Sequence, residues 1–234
     1  MRLVKEVSKK ISLITPLKNE NSLLKRGLRE LESFIQKFPL QWELILVIDP
    51  SSDASLTTAQ GLKSEKIELR VLENPGKLGR GPSILHGLQA ATGDLVMIFP
   101  LDFTIPLADL FNFLQEMILN PDLDLVVGNR NTSRKKREAP RRNSWHWTLE
   151  NIIVEKLRHA GVASGDPLCP YLIFRRASLL RLLPELRLRS WYYTPEILRR
   201  AQALNWKILE VPVLSRDSRP SQIPLLREFW RHLF

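Results

Sequence analysis

Short runs of apolar and β-branched residues alternate along the chain with stretches whose apolar positions recur at helical spacing. This rhythm predicts parallel strands joined by helical crossovers. Ile11–Thr15, Glu43–Ile48, Ile67–Leu72, Leu95–Phe99 and Asp124–Val127 read as strands. Between them Leu24, Leu28, Leu31 and Ile35 line one helix face, and Ile84, Leu85, Leu88 and Ala91 line another. Pro82 suits the first turn of that second helix and Gly93 its stop. The pattern changes near Asn129. Beyond it the spacing predicts a helix over Trp145–His159, a strand at Tyr171–Phe174 and a helix opened by Thr194-Pro195-Glu196. A strand at Lys207–Val213 and a last helix over Ile223–Phe234 complete the reading. Neither an internal repeat nor a dividing linker is visible, so residues 1–234 read as one mostly parallel α/β domain with helices on both faces.

Composition narrows the picture. With 44% apolar residues in 234, the chain can bury a substantial core, which rules out collagen, coiled coil and intrinsic disorder. Its net charge of +10 favours anionic partners: nucleic acid, an acidic membrane face or phosphorylated small molecules. Much of that charge is local. Residues 130–142 hold seven Arg or Lys against one Glu, a net +6 without apolar periodicity, and read as a mobile surface loop. The single Cys169 excludes an internal disulfide and a cysteine zinc cluster, so a reducing, cytoplasmic setting is expected. No window offers the ~18 apolar residues of a membrane span, and Pro16–Glu20 interrupts the Ile11–Thr15 run well before it could serve as an export signal. A soluble protein, or one peripheral on the cytoplasmic membrane face, is the expectation.

Candidate chemistry follows from topology. In an open parallel sheet, ligands bind beyond the carboxyl ends of the strands. Four polar segments fall there in order: Pro16-Leu17-Lys18-Asn19-Glu20, Asp49-Pro50-Ser51-Ser52-Asp53, Asn74-Pro75-Gly76-Lys77-Leu78-Gly79-Arg80-Gly81 and Pro100-Leu101-Asp102. Together they would line one rim with carboxylates for a base, ribose or metal, and with Lys77 and Arg80 beside a helix start for phosphate. Asp53, ahead of Ala54 and Ser55, reads equally well as a helix cap. His86 lies inside the helix pattern and reads as structural.

The stretch Lys77–Asp94, the Pro16–Glu20 segment, Val47–Asp53, Val127–Arg130, Asp166–Arg175, Glu196 with its helix and Val211–Val213 resemble corresponding segments of dolichyl-phosphate mannose synthases and related family 2 glycosyltransferases. The resemblance implies a GT-A (Rossmann-like) fold and inverting transfer of a sugar from a GDP- or UDP-linked donor to a polyprenyl phosphate or another acceptor. It assigns Pro16, Glu20 and Asp49 to the nucleotide and Asp102 to a Mg²⁺ or Mn²⁺ ion bridging the diphosphate. Arg130, Arg175 and Arg219 are assigned to acceptor phosphate, and Glu196 to the pocket.

Some positions depart from the family pattern. Pro100 stands at the first position of its Asp-x-Asp motif, Ile105 replaces a polar residue and Leu172 an arginine, while Arg216–Gln222 matches a phosphate loop only loosely. Metal dependence should therefore be weak. A catalytically impaired relative that binds a nucleotide, lipid phosphate or protein partner stays open beside the enzyme reading. Near an anionic bilayer each Lys or Arg is worth about 1 kcal/mol, so the basic loop could hold the protein at a membrane surface, or merely keep it soluble. Leu226, Phe229, Trp230, Leu233 and Phe234 form an amphipathic stripe that suits either the domain surface or a membrane interface. Nucleic-acid binding is disfavoured because no aromatic-interleaved platform accompanies the charge. A sugar-nucleotide-forming nucleotidyltransferase is disfavoured because no glycine-rich phosphate loop follows the first strand.

Overall fold

The computed structural model describes residues 10–102, 106–131, 144–189 and 193–214, with 144–150 given by backbone alone. Along these residues run β1 (Lys10–Leu17), α1 (Asn21–Ile35), β2 (Gln41–Ile48), α2 (Ser55–Gly61), β3 (Glu68–Glu73), α3 (Arg80–Ala90), β4 (Leu95–Ile98) and α4 (Leu107–Leu119). Then follow β5 (Leu125–Asn129), α5 (Ser144–His159), β6 (Leu172–Arg175), α6 (Arg176–Leu182), α7 (Thr194–Ala203) and β7 (Ile208–Pro212). The seven strands form one sheet in the order β3-β2-β1-β4-β6-β5-β7. All pairings are parallel except those of β6, which is antiparallel to both β4 and β5.

Near-continuous apolar runs such as Leu44–Ile48 arise because helices cover both faces of the sheet. Side chains alternate between those faces. Leu44, Leu46 and Ile48 pack with Leu24, Leu28 and Leu31 of α1 and with Phe113 of α4. Their neighbours Ile45 and Val47 pack with Ile84 and Leu88 of α3, on the face that also holds Ile197 and Leu198 of α7. Each fully buried aliphatic side chain contributes about 1.5–3 kcal/mol of transfer free energy, so the two layers fix the strand register firmly.

The predicted strands are all present, with ends shifted by a residue or two. Three helices were not anticipated: α2, α4 and α6. In α4 the signal was there, since Leu110, Phe113, Leu114 and Met117 recur at helical spacing and are buried. The helix expected to stop at Gly93 ends at Ala90; the Gly93 N–H instead donates to Ser12 Oγ at 2.8 Å. Residues 132–142 of the basic loop, Ile105, Arg216–Gln222 with Arg219, and the helix expected over Ile223–Phe234 lie outside the described residues. Among the described residues no helix is long and apolar enough to cross a membrane.

The amino-terminal ends of the strands carry their own polar network. Glu43 of β2 is fully buried and accepts from the Ser12 hydroxyl, from Arg70 Nη1 at 2.9 Å, and from the Thr92 N–H and hydroxyl at 3.1 and 3.0 Å. Burial pushes its carboxyl up, but these donors outweigh that and bring it down to about 2.

Candidate active site

The sheet register places all four candidate segments on one rim. Leu17 is level with Ile48, and Ile48 with Glu73, so the loops after β1, β2 and β3 start side by side. β4 stops beside Ile14, where the Phe99 N–H continues the ladder to the Ile14 carbonyl at 2.8 Å. Strand order reverses between β1 and β4, which makes the space beyond their carboxyl ends the switch point of the sheet. Pro16, Glu20, Asp49, Lys77, Arg80 and Asp102 all belong to this rim.

At the first two loops the backbone is locked by short polar side chains. Asn19 has φ +54°, and its Oδ1 accepts from the Ser52 N–H at 2.8 Å while its own N–H donates to Ser51 Oγ at 3.1 Å. The Glu20 N–H donates to Ser55 Oγ at 3.0 Å. Half-buried Glu20 is thereby held at the head of α1, while half-buried Pro16 lies near the end of β1, beside Val47. Asp53 accepts from the N–H groups of both Asn21 and Ser55, at 3.1 and 3.0 Å, so it ties together the starts of α1 and α2. The Ser55 hydroxyl holds the Asp53 carboxyl below the ordinary range.

Asp49 follows β2 directly and is held by the protein on both carboxylate oxygens. It is 3% exposed, and both its oxygens accept from the protein: Oδ2 from the Gly79 N–H at 2.9 Å and Oδ1 from Asn74 Nδ2 at 2.7 Å, with Ser83 Oγ at 3.2 Å. These bonds make Asp49 a grip on the loop before α3. Lys77 is exposed on that loop. The Tyr193 hydroxyl donates to the Pro170 carbonyl at 2.5 Å, and Arg80 lies close enough to act on it electrostatically. Burial, resisted only in part by Arg80, raises the Tyr193 phenol well above its ordinary value.

At the end of β4, the Thr15 hydroxyl donates to the Phe99 carbonyl at 2.5 Å. A Cβ at Gly27 would stand 3.1 Å from the Leu101 carbonyl oxygen, so α1 seats itself directly on the turn that carries Asp102. Asp102 is half-buried there. Among the described residues no three His, Cys, Asp or Glu side chains are grouped to hold an ion. The fit for a divalent cation is accordingly that of a single hard-oxygen ligand on a fixed turn, a donor set magnesium accepts when phosphate oxygens and water complete it.

Farther along the same edge, β5 delivers Asn129 and leads into Arg130. Asn129 Nδ2 donates to Glu210 Oε2 at 2.6 Å, and Glu210 Oε1 accepts from the Gly165 N–H at 2.9 Å. Arg130 donates from Nε and Nη2 to the two oxygens of Asp166, at 2.7 and 2.8 Å. Burial would raise the Asp166 carboxyl; the Arg130 guanidinium prevails and holds it below the usual carboxylate range. Glu196, at the start of α7, accepts from the N–H groups of Arg187 and Leu188 at 2.7 and 3.1 Å and so braces a loop. Arg175 does not join the rim. It pairs with Leu95 at the opposite end of the sheet, where its guanidinium donates to the Leu123 and Met117 carbonyls at 2.9 and 3.0 Å. The expectation that it binds phosphate fails because β6 runs antiparallel and carries it away. Asn19, Asn74, Ser83, Asp166 and Tyr193 had not been singled out. A short polar residue directly after a buried strand was the available signal for the first two.

Comparison with known proteins agrees with this architecture. The model of the family described as Glycosyl transferase family 2 matches residues 12–183. A dolichyl-phosphate beta-glucosyltransferase of Trichomonas vaginalis is 26% identical over 211 residues, covering 87% of this chain and 64% of that protein. The chain thus spans a little under two-thirds of that relative's length. Glucosyl-3-phosphoglycerate synthase of Mycobacterium tuberculosis, solved with UDP, superposes with a TM-score of 0.67 at 16% identity over 99% of this chain and 81% of its own. A mannosyltransferase of Pyrobaculum calidifontis, solved with GDP-mannose and Mn²⁺, gives a TM-score of 0.60 at 16% identity, over 93% of this chain and 59% of its own. The shared fold is GT-A.

Proposed function

This chain belongs to glycosyl transferase family 2, and from that membership we propose that it moves a hexosyl group from a GDP- or UDP-linked donor to a polyprenyl phosphate or another acceptor, with inversion at the anomeric carbon. The observation that carries the proposal is the gathering of the loops after β1, β2, β3 and β4 on one rim at the switch point of the sheet. The relatives' names support the two ends of the reaction: a dolichyl-phosphate glucosyltransferase for the acceptor, and enzymes solved with UDP or GDP-mannose for the donor.

In this reading Pro16 and Glu20 border the nucleotide, and Lys77 and Arg80 lie beside the donor phosphates at the head of α3. Asp102 would hold Mg²⁺ or Mn²⁺, which, when bound, neutralises charge developing on the departing nucleoside diphosphate. The bond between the sugar's anomeric carbon and the diphosphate oxygen breaks, its electron pair leaving with the nucleotide. An acceptor oxygen forms the new bond on the opposite face. A phosphate-monoester acceptor, with its second pKa near ~6, is already largely anionic at neutral pH, so no strong general base is required. Arg130, paired with Asp166, and Arg219 would face the acceptor phosphate, both assigned by sequence resemblance. The net charge of +10 suits a protein acting at an anionic membrane face on the cytoplasmic side.

One observation favours a second reading: Pro100 leaves Asp102 without the partner carboxylate of the family motif, as in a relative that binds nucleotide and has lost transfer. A thermal-shift screen of GDP- and UDP-sugars with and without Mn²⁺, followed by product analysis with polyprenyl phosphate, tests both. Stabilisation with glycosyl transfer supports the enzyme; stabilisation without product supports the binder. No stabilisation by any nucleotide overturns the proposal.

A further inference from the structure

Asp49 is one link in a chain of hydrogen bonds that starts outside the rim. His86, one and a half turns into α3, places Nδ1 at 2.9 Å from Asn74 Oδ1. Asn74 Nδ2 donates to Asp49 Oδ1 and to Ser83 Oγ at 2.7 and 2.8 Å, which fixes the amide with its oxygen toward the imidazole. An oxygen there requires a donor, so His86 carries its proton on Nδ1. At the other end, Asp49 Oδ2 receives the Gly79 N–H at 2.9 Å, and the Ser83 hydroxyl donates to the Gly79 carbonyl at 2.8 Å.

The loop so gripped has little else to hold it. Lys77 is exposed, Leu78 is 46% exposed, and Gly79 sits at φ +89°, a conformation L side chains rarely adopt. Packing therefore does little to position Lys77, and the bonds to Gly79 fix the backbone that carries it. Asn74 is 1% exposed and Asp49 3%, so every acceptor removed from this chain, or donor left without one, is an unsatisfied group in a dry environment that the amide relieves only by turning.

We propose that His86 and Asn74 are positioning residues for the donor's diphosphate, acting through Asp49 to hold the Gly76–Gly81 loop in the conformation that presents Lys77 and Arg80. This rests on the nucleotide reading of the rim. Neither residue touches the ligand: the imidazole orients the amide, the amide orients the carboxylate, and the carboxylate anchors Gly79. The specific requirement is a hydrogen-bond donor at the place of His86 Nδ1. Asparagine can supply one there and leucine cannot.

The test measures UDP and GDP affinity by calorimetry with Mn²⁺ present, and amide hydrogen exchange at Gly79 without nucleotide. It compares the wild type with His86→Leu, His86→Asn and Ser83→Ala. His86→Leu should bind the nucleoside diphosphate roughly tenfold more weakly, as is usual when the support behind a ligand-positioning group is removed. It should also exchange faster at Gly79, while His86→Asn stays near the wild type. Ser83→Ala, which breaks the same chain at a small side chain, should show the same pair of effects and carries the test if His86→Leu does not fold. Undiminished affinity in His86→Leu and Ser83→Ala overturns the proposal, as does equal weakness of His86→Leu and His86→Asn. A wild type that binds neither nucleotide overturns the nucleotide reading itself, and this inference with it.

Discussion

Arg130 grips Asp166 with two guanidinium nitrogens, Nε at 2.7 Å and Nη2 at 2.8 Å, and its own backbone N–H adds a third bond at 3.0 Å. This joins the end of β5 to the segment leading into β6. The Asp166 side chain is 4% exposed and that of Arg130 25%, so the pair is largely shielded from water.

Removing one partner of such a pair leaves the other charge buried and uncompensated, which costs about 3–5 kcal/mol. Asp166→Ala should therefore lower stability by roughly 3 kcal/mol in chemical denaturation, given that Arg130 retains some solvent access. Arg130→Lys should cost less but still be felt, because an ammonium cannot reproduce the two-pronged contact. An Asp166→Ala variant as stable as the wild type would show that the pair contributes nothing.

The single carboxylate at the end of β4 makes a directional prediction about metal. Asp102→Asn should reduce the gain in nucleoside diphosphate affinity brought by Mn²⁺ by about tenfold. Pro100→Asp, which restores the two-carboxylate spacing, should enlarge that gain. Calorimetric titrations with and without Mn²⁺ decide it: a metal effect unchanged by Asp102→Asn removes that residue as a ligand.

Most of the fold was legible because its strands are unmixed. Leu44–Ile48 is apolar on both faces, and only a buried parallel strand needs that. The rim followed from topology alone, since the residues after parallel strands must share an edge. Individual roles were less legible. Asp49 and Asp53 look alike in sequence, yet one is buried against Gly79 and the other ties together the starts of α1 and α2, a difference made by contacts remote along the chain. Arg175 was misplaced because nothing in Tyr171–Phe174 shows whether that strand runs with or against its neighbours. Arg80 lies close enough to Tyr193, more than a hundred residues along the chain, to act on its hydroxyl, a proximity no local pattern shows.

Cys169 is fully buried, its Sγ packed where a Cβ at Gly128 would come within 2.8 Å. Burial pushes the thiol up to about 12, leaving almost no thiolate at neutral pH. In the folded protein it should therefore react with a disulfide reagent only as fast as the chain opens. In denaturant the single cysteine of the sequence should titrate at once, as one equivalent. Rapid labelling under native conditions would contradict its burial.

Glu43 makes folding stability depend on pH in a definite direction. Its carboxyl titrates at about 2 in the folded chain against an ordinary 4.5, so the unfolded chain binds a proton more readily. The stabilisation is fully present above pH ~5 and is lost as pH falls through the folded value. A gap of that size corresponds to about 3 kcal/mol, an order-of-magnitude figure supported here by complete burial of the carboxylate among Ser12, Arg70 and Thr92. Glu43→Gln keeps the shape but holds no charge for Arg70 and cannot accept from every donor. The wild type should be the more stable of the two at pH 7, and its advantage should shrink steadily between pH 5 and 2. Denaturation midpoints measured across that range check it, and two curves that stay parallel would show that the Glu43 network is not what acid disrupts.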